Sequence, residues 1–268
     1  MTVDPARAYR DRVSGFLVAP PLAFAHRGGA KTAGNVGIEN SLVAFQHAYD
    51  LGYRYLETDV RCSADGVVFA VHDEALDRLT GSTTLIHEMT AAQLEGELLD
   101  AREPIVRLDA LYEHFPEARL NIDVKADDAV GPTCAVVKAH DAVGRTCLTA
   151  FSHERLTHIR RLLPGVATSA STREVVLTRF LPAALLRGPA RPHGSCLQVP
   201  ARRGRITVVT PGLVRRAHRL GMQVHVWTVD DASEITRLLD LGVDGIITDR
   251  TDVLKDVLVA RGQWSVPA

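Results

Sequence analysis

Short runs rich in Val, Ile and Leu alternate along the chain with segments whose apolar positions recur every three or four residues. The first pattern reads as strands buried on both faces, the second as helices covering such a sheet. Strands are expected at 22–26, 54–60, 120–125, 147–151, 166–170, 196–200, 223–229 and 245–248. Helices are expected at 41–51, 108–115, 132–143, 153–163, 173–186, 211–220, 232–241 and 251–260. In the first helix Leu42, Phe45 and Tyr49 share a face, with Asn40 as the expected cap and Gly52 as the stop. Eight strands, each leading into a helix, predict an α/β fold, a (β/α)8 TIM barrel whose active site lies at the carboxyl ends of its strands.

Residues 67–72 are also strand-like, and a ninth stave would spoil that count. They read instead as the return arm of a hairpin extending the second strand, because Asp65-Gly66 is the strongest short hairpin signal in the chain. A two-residue loop pairs Ala64 with Val67 and sets Asp59 opposite His72, with Cβ atoms about 5 Å apart. A bulged turn would shift that register by one. A small insertion at 73–107 follows, and 1–268 is expected to form one domain.

Composition narrows what such a barrel acts on. With 268 residues, 46% of them hydrophobic, the chain can bury one large core. Lys and Arg number 31 against 32 Asp and Glu, so no global field draws a polyanion; the expected partner is a small molecule and not nucleic acid. The four cysteines, Cys62, Cys134, Cys147 and Cys196, form no CxxC pair, and a reducing, cytoplasmic setting is expected. Arg7, Arg10 and Arg12 before an apolar stretch ending Ala23-Phe24-Ala25 superficially resemble a secretory leader. Pro20-Pro21, Asp4 and Asp11 count against it, and cleavage there would remove most of the first strand. No apolar run approaches the roughly 20 residues of a membrane span, so stable insertion is not expected. The pattern sets no oligomeric state.

Charged residues interrupt the strands at particular places: His26-Arg27-Gly28-Gly29, Glu57-Thr58-Asp59, His72-Asp73, and Asp123 with Lys125. Glu57 and Asp59 share a face at the period of two, as do Asp123 and Lys125 on the next strand. Taken alone, Asp123 and Lys125 read equally well as an ion pair with each other or with neighbours. Beside Glu57 and Asp59, however, three carboxylates crowd one barrel mouth and repel unless a cation lies between them. An all-oxygen site of this kind suits Mg²⁺ or Ca²⁺, with Mn²⁺ as a further candidate, rather than zinc.

The ordered set resembles the glycerophosphodiester phosphodiesterase family across nearly the whole chain. It comprises His26-Arg27-Gly28, Glu39-Asn40-Ser41, Glu57-x-Asp59-Val60, Asp65-Gly66, His72-Asp73, Leu76-x-Arg78-x-Thr80, Glu103-Pro104, Asn121-Ile-Asp123-x-Lys125, Trp227-Thr-Val and Gly245-Ile-Ile-Thr-Asp249. The family fold is a TIM barrel with a hairpin-linked insertion after its second strand. The resemblance implies metal-dependent hydrolysis of glycerophosphodiesters to sn-glycerol 3-phosphate and an alcohol. It makes His26 and His72 the acid/base pair, Arg27 and Lys125 the phosphate holders, and Glu57, Asp59 and Asp123 the ligands of a divalent cation. A phosphodiester monoanion needs its nonbridging oxygens neutralised, an incoming oxygen deprotonated and a departing alkoxide protonated, and histidine performs both proton steps near neutral pH. The attacking group is either water or the neighbouring glycerol hydroxyl.

Three departures stand out. Asp123 occupies a position where glutamate is usual; the loop 30–38 is long, lacks the usual proline before Glu39 and is expected to form a mobile flap; and the insertion is short, leaving the headgroup open. Glu39, Phe151 and Trp227 are the candidate pocket walls, although aromatics in barrels are more often core. His47, His87, His140, His193 and His218 read as surface residues, and Arg202-Arg203-Gly204-Arg205 as a solvated loop. Two rivals remain: a phospholipase of the phosphatidylinositol-specific C, sphingomyelinase D or lysophospholipase D kind, and a barrel that binds without turnover. A phospholipase calls for an exposed apolar rim, which the sequence offers only around 180–181 and 183–186.

Overall fold

The structure, a computed structural model, describes residues 15–181, 186 and 191–264. All eight expected staves are present: β1 (Leu22–His26), β2 (Tyr55–Cys62), β4 (Arg119–Val124), β5 (Thr146–Thr149), β6 (Ala167–Thr168), β7 (Cys196–Pro200), β8 (Gln223–Trp227) and β9 (Gly245–Thr248), with β3 (Val68–Ala70) as the hairpin arm on β2. The staves are parallel in the order β6-β5-β4-β2-β1-β9-β8-β7. A single bridge between Ser169 and Cys196 joins the two ends. It is supported by the Ala170 N–H donating to Cys196 O (2.7 Å) and the Ser195 N–H donating to Thr168 O (2.7 Å). The barrel closes most weakly there because β6 contributes only two residues.

The helices are α1 (Leu42–Asp50), α2 (Ala91–Glu95), α3 (Leu108–His114), α4 (Val130–Ala139), α5 (His153–Leu162), α6 (Thr172–Phe180), α7 (Pro211–Arg219), α8 (Ala232–Asp240) and α9 (Thr251–Ala260). The hydroxyl of Ser41, not Asn40, caps α1 by accepting from the Ala44 N–H (3.1 Å), because Asn40 (φ 62°) turns the chain into the helix instead. The expected helix 173–186 ends at Phe180, and 182–185 lie outside the described residues.

Three apolar clusters divide the interior. The largest packs helices against the outer faces of the staves, Phe45, Leu56, Leu111, Ile122, Leu156, Val224 and Leu254 among its members. A second closes the amino end of the barrel, where Phe16 and Phe24 pack on Tyr55 at ring-centroid distances of 5.2 and 4.9 Å. The third belongs to the insertion: Ile38, Phe69, Val71, Leu76, Ile86, Leu94 and Leu99 form a satellite core that anchors β3 and the residues just after it. That satellite core carries the sequence leading to His72 onto the carboxyl face.

One helix-to-strand contact carries a pH signature. His218 Nε2 lies 2.7 Å from Asp244 Oδ2, an oxygen that also accepts the Val224 N–H at 2.8 Å. The hydrogen bond to Asp244 raises the His218 pKa despite burial. Stability from a raised histidine is complete below the unfolded value of about 6.5 and is lost as pH rises through the folded value. His218→Ala therefore lowers the urea midpoint most at about pH 5.5, by less than about 1 kcal/mol for so exposed a pair, and the difference closes at about pH 9. A pH-independent difference contradicts this.

Candidate active site

The site begins where β1 runs out. Arg27, Gly28 and Gly29 follow His26 at φ values of 51°, 83° and 86°. A Cβ on Gly28 would lie 2.7 Å from the Ala44 carbonyl carbon, so the loop crosses the start of α1 only with glycine there. Arg27 pays conformational strain for its orientation, and its N–H donates to Glu57 O (2.9 Å), tying the end of β1 to β2. The loop 30–38 is anchored rather than loose. Buried Asn35 donates from Nδ2 to Gly28 O (2.9 Å) and meets His47 Nδ1 with Oδ1 (2.6 Å), while the Lys31 N–H donates to Asp249 O (3.0 Å).

The hairpin register differs from expectation by one residue. Val60, Arg61 and Cys62 face Ala70, Phe69 and Val68, and the Val71 N–H donates to Asp59 O (2.9 Å), so Val71 and not His72 stands opposite Asp59. The turn contains three residues, Ala64, Asp65 and Gly66: the Gly66 N–H donates to Ser63 O (3.0 Å), and Gly66 takes φ 90°. Asp65 favours this form because its carboxylate accepts from Ser63 Oγ (2.7 Å) and from the Ala91 N–H (2.8 Å), fastening the turn to α2. His72 lies past the paired arm, where its carbonyl accepts from Arg61 Nε (3.0 Å).

β2 and β4 then bring the acids together, with Asp59 and Asp123 as direct register partners. Lys125 Nζ sits between them, 2.6 Å from Asp59 Oδ1 and 2.7 Å from Asp123 Oδ2. Arg27 Nε lies 2.8 Å from Asp59 Oδ2, yet off the line of a hydrogen bond, and neither atom has another hydrogen-bond partner among the described residues. Glu39 accepts from Arg27 (3.0 Å) and from both terminal nitrogens of Arg78 (2.9 and 2.7 Å). Burial pushes the Glu57 carboxyl up to about 7, with Asp59 adding to the rise against His26, Arg27 and Lys125. Burial raises Asp123 as well, whereas at Asp59 it is outweighed by Lys125 and Arg27, and that carboxyl is lowered.

Both imidazoles are held by a carboxylate on Nδ1. His26 Nδ1 lies 2.6 Å from Asp249 Oδ1, leaving Nε2 3.7 Å from Glu57 Oε2. Burial works against its charged form, but Glu57 and Asp249 outweigh it and the His26 pKa is raised. His72 Nδ1 lies 2.6 Å from Asp73 Oδ1, and Arg78 holds Asp73 in turn (2.7 Å). The His26 side chain is 15% exposed and that of His72 36%, so the pair differ in their access to solvent. Sequence reasoning assigned no role to Asp249, Asp73, Arg78 or Lys31, although Asp249 ends the last stave, where barrel chemistry collects. Phe151 and Trp227 meet edge to face at 5.9 Å on the same mouth. Val36, Phe151 and Ile206, exposed at 65%, 60% and 69%, stand on three loops of that face. Phe180, expected on an apolar rim, ends α6 and so lies toward the opposite end of the barrel.

The donor chemistry fits a hard cation. Glu39, Glu57, Asp59, Asp73, Asp123 and Asp249 outnumber Arg27, Lys31, Arg78 and Lys125, and Asp59 Oδ2 is a buried oxygen without a hydrogen bond. Among the described residues no three ligand side chains converge closely enough to bind an ion as they stand. The Lys125 ammonium, between Asp59 and Asp123, occupies oxygens that a cation would share.

Comparison with known proteins agrees with this picture. The profile of the Glycerophosphoryl diester phosphodiesterase family matches residues 26–253. A Mycobacterium tuberculosis protein named "Probable glycerophosphodiester phosphodiesterase 2" is 39% identical over 265 residues, covering 92% of this chain and 97% of that protein. The crystal structure of a glycerophosphodiester phosphodiesterase from Agrobacterium tumefaciens superposes with a TM-score of 0.70 at 27% identity, over 88% of this chain and 99% of that one. An Oleispira antarctica phosphodiesterase in complex with the product sn-glycerol-3-phosphate shares the fold at a TM-score of 0.71 and 21% identity, over 90% and 97% of the two chains.

Proposed function

The chain belongs to the glycerophosphoryl diester phosphodiesterase family and is a phosphoric diester hydrolase, and from that premise we propose that it hydrolyses soluble glycerophosphodiesters to sn-glycerol 3-phosphate and an alcohol, with His26 and His72 as proton-transfer pair. The observation that carries this reading is the matched treatment of the two imidazoles, each with Nδ1 engaged by its own carboxylate and Nε2 left available. One imidazole takes the proton of the attacking oxygen as the new P–O bond forms, and the other protonates the departing alkoxide as the old one breaks.

Arg27 and Lys125 are the groups for the nonbridging phosphate oxygens. Both are already desolvated and pinned by acids, so little reorganisation accompanies binding. The family generally depends on a divalent cation; bound by Glu57, Asp59 and Asp123, it would neutralise phosphate charge and polarise phosphorus. Glu39 fixes Arg27 and Arg78, and the edge-to-face pair Phe151 and Trp227 supplies an apolar wall for the carbon skeleton.

Turnover of a panel of glycerophosphodiesters, with products identified by phosphorus NMR, tests the reading. sn-Glycerol 3-phosphate with release of free alcohol is expected, and a cyclic phosphate signal during turnover reports attack by the glycerol hydroxyl. No turnover of any soluble diester, against turnover of lysophospholipid micelles, would instead favour the phospholipase reading, to which the exposed Val36, Phe151 and Ile206 lend support.

Asp249 acts through His26. Asp249→Asn keeps the shape but lets the imidazole take the other tautomer, and kcat is expected to fall by about 10²-fold or more with KM little changed. The limb of the kcat profile that His26 sets should move to lower pH, because a carboxylate that raises the imidazole pKa is gone. A loss of activity without a change in the pH profile would mark Asp249 as structural only.

A further inference from the structure

Away from the mouth, α5 and α6 flank a cleft of about 470 Å³ on the outer wall of the barrel, within the roughly 300–1,000 Å³ range of small-molecule sites. Its floor is built. Glu174, 3% exposed, accepts from both terminal nitrogens of Arg160 (3.1 Å each), from the Ser171 N–H (2.8 Å) and from the His193 N–H (2.8 Å). Arg160 also donates to Thr168 Oγ1 (2.9 Å) and Ser169 O (3.0 Å). The carboxylate is thereby saturated, and it is the one acid among the residues that line the cleft.

Around that neutralised floor stand Arg161, Arg173 and Arg191, for none of which an ion pair is found among the described residues. His153 and His193 complete the polar lining. Three guanidiniums facing one recess, with no ion pair among the described residues, repel one another, and the one acid that lines the recess is already saturated. An anion relieves that repulsion, and the guanidinium fork matches phosphate oxygens two at a time. We propose that this cleft is a second binding site, separate from the catalytic mouth, for a soluble small molecule carrying two or more phosphate groups.

Inorganic pyrophosphate is the probe. Titration calorimetry of the full chain is expected to show two classes of site, because the catalytic mouth also holds phosphate. Arg161→Gln with Arg173→Gln should weaken one class by at least about tenfold while leaving kcat for a glycerophosphodiester unchanged in the absence of pyrophosphate. Arg202→Gln with Arg203→Gln, an equal loss of charge on an exposed ribbon, should leave both classes intact. The proposal is overturned by a single class abolished by competing substrate, or by equal weakening in the two double variants, which signifies diffuse attraction. It is also overturned if phosphatidylglycerol vesicles bind in an Arg161- and Arg173-dependent way while pyrophosphate does not.

Discussion

Replacing His26 by asparagine is expected to lower kcat on a glycerophosphodiester by about 10²- to 10⁴-fold, the range for loss of a positioned proton-transfer group. The variant should fold. His26 ends β1 with its side chain 15% exposed, and asparagine retains an N–H that can meet Asp249. KM should change little, since Arg27 and Lys125, the proposed phosphate contacts, are present in both proteins. His72→Asn is expected to fall in the same range, because its imidazole is engaged at Nδ1 by Asp73 just as His26 is by Asp249. Leaving-group dependence separates the two roles: a diester with a nitrophenolate leaving group needs no protonation, so the variant lacking the acid recovers on it and the variant lacking the base does not. If either single variant keeps more than about a tenth of wild-type kcat on the unactivated substrate, that histidine is not a proton-transfer group.

The barrel was legible because the two periodicities it depends on are local. All eight staves fell within a few residues of expectation, since each is a buried apolar run bounded by turn residues. What failed was settled by single side chains acting across the fold. The hairpin register turned on Asp65, whose carboxylate accepts from Ser63 and the Ala91 N–H and so favours a three-residue turn over the two-residue one that Asp65-Gly66 implies. The flap expected at 30–38 is held by Asn35, whose amide reaches two loop carbonyls and His47, contacts that no periodicity encodes. The site shows the same division. Glu57, Asp59, Asp123 and Lys125 were visible as charges interrupting buried strands, and the parallel pairing of β2 and β4 brings them into register. The task of Asp249 is not legible in the sequence, because its partner His26 lies 223 positions earlier and the two meet only when β9 pairs with β1.

Chelation of the purified protein is expected to remove at least about 10³-fold of its turnover, since charge neutralisation by a divalent ion contributes several kcal/mol in the transition state and about 4 kcal/mol corresponds to that factor. Separate restoration with Mg²⁺, Ca²⁺ and Mn²⁺ identifies the ion. Binding is also readable without turnover: a hundredfold excess over Kd stabilises the fold by about 2.7 kcal/mol, roughly 5–10 °C in Tm for a chain of this length. Asp123→Asn should shrink that shift. Lys125 supplies the discriminating case. Its ammonium lies 2.6 Å from Asp59 and 2.7 Å from Asp123, so it competes with an ion for the same oxygens. Lys125→Met should therefore tighten ion binding by about tenfold or more, the effect of removing one like charge from a buried site, while lowering kcat through the lost phosphate contact. Opposite signs on affinity and turnover from one substitution are hard to produce unless the ion sits among these carboxylates. Full activity after exhaustive chelation, or an ion-induced Tm shift that neither Asp123→Asn nor Lys125→Met alters, would remove Glu57, Asp59 and Asp123 from the role of ligands.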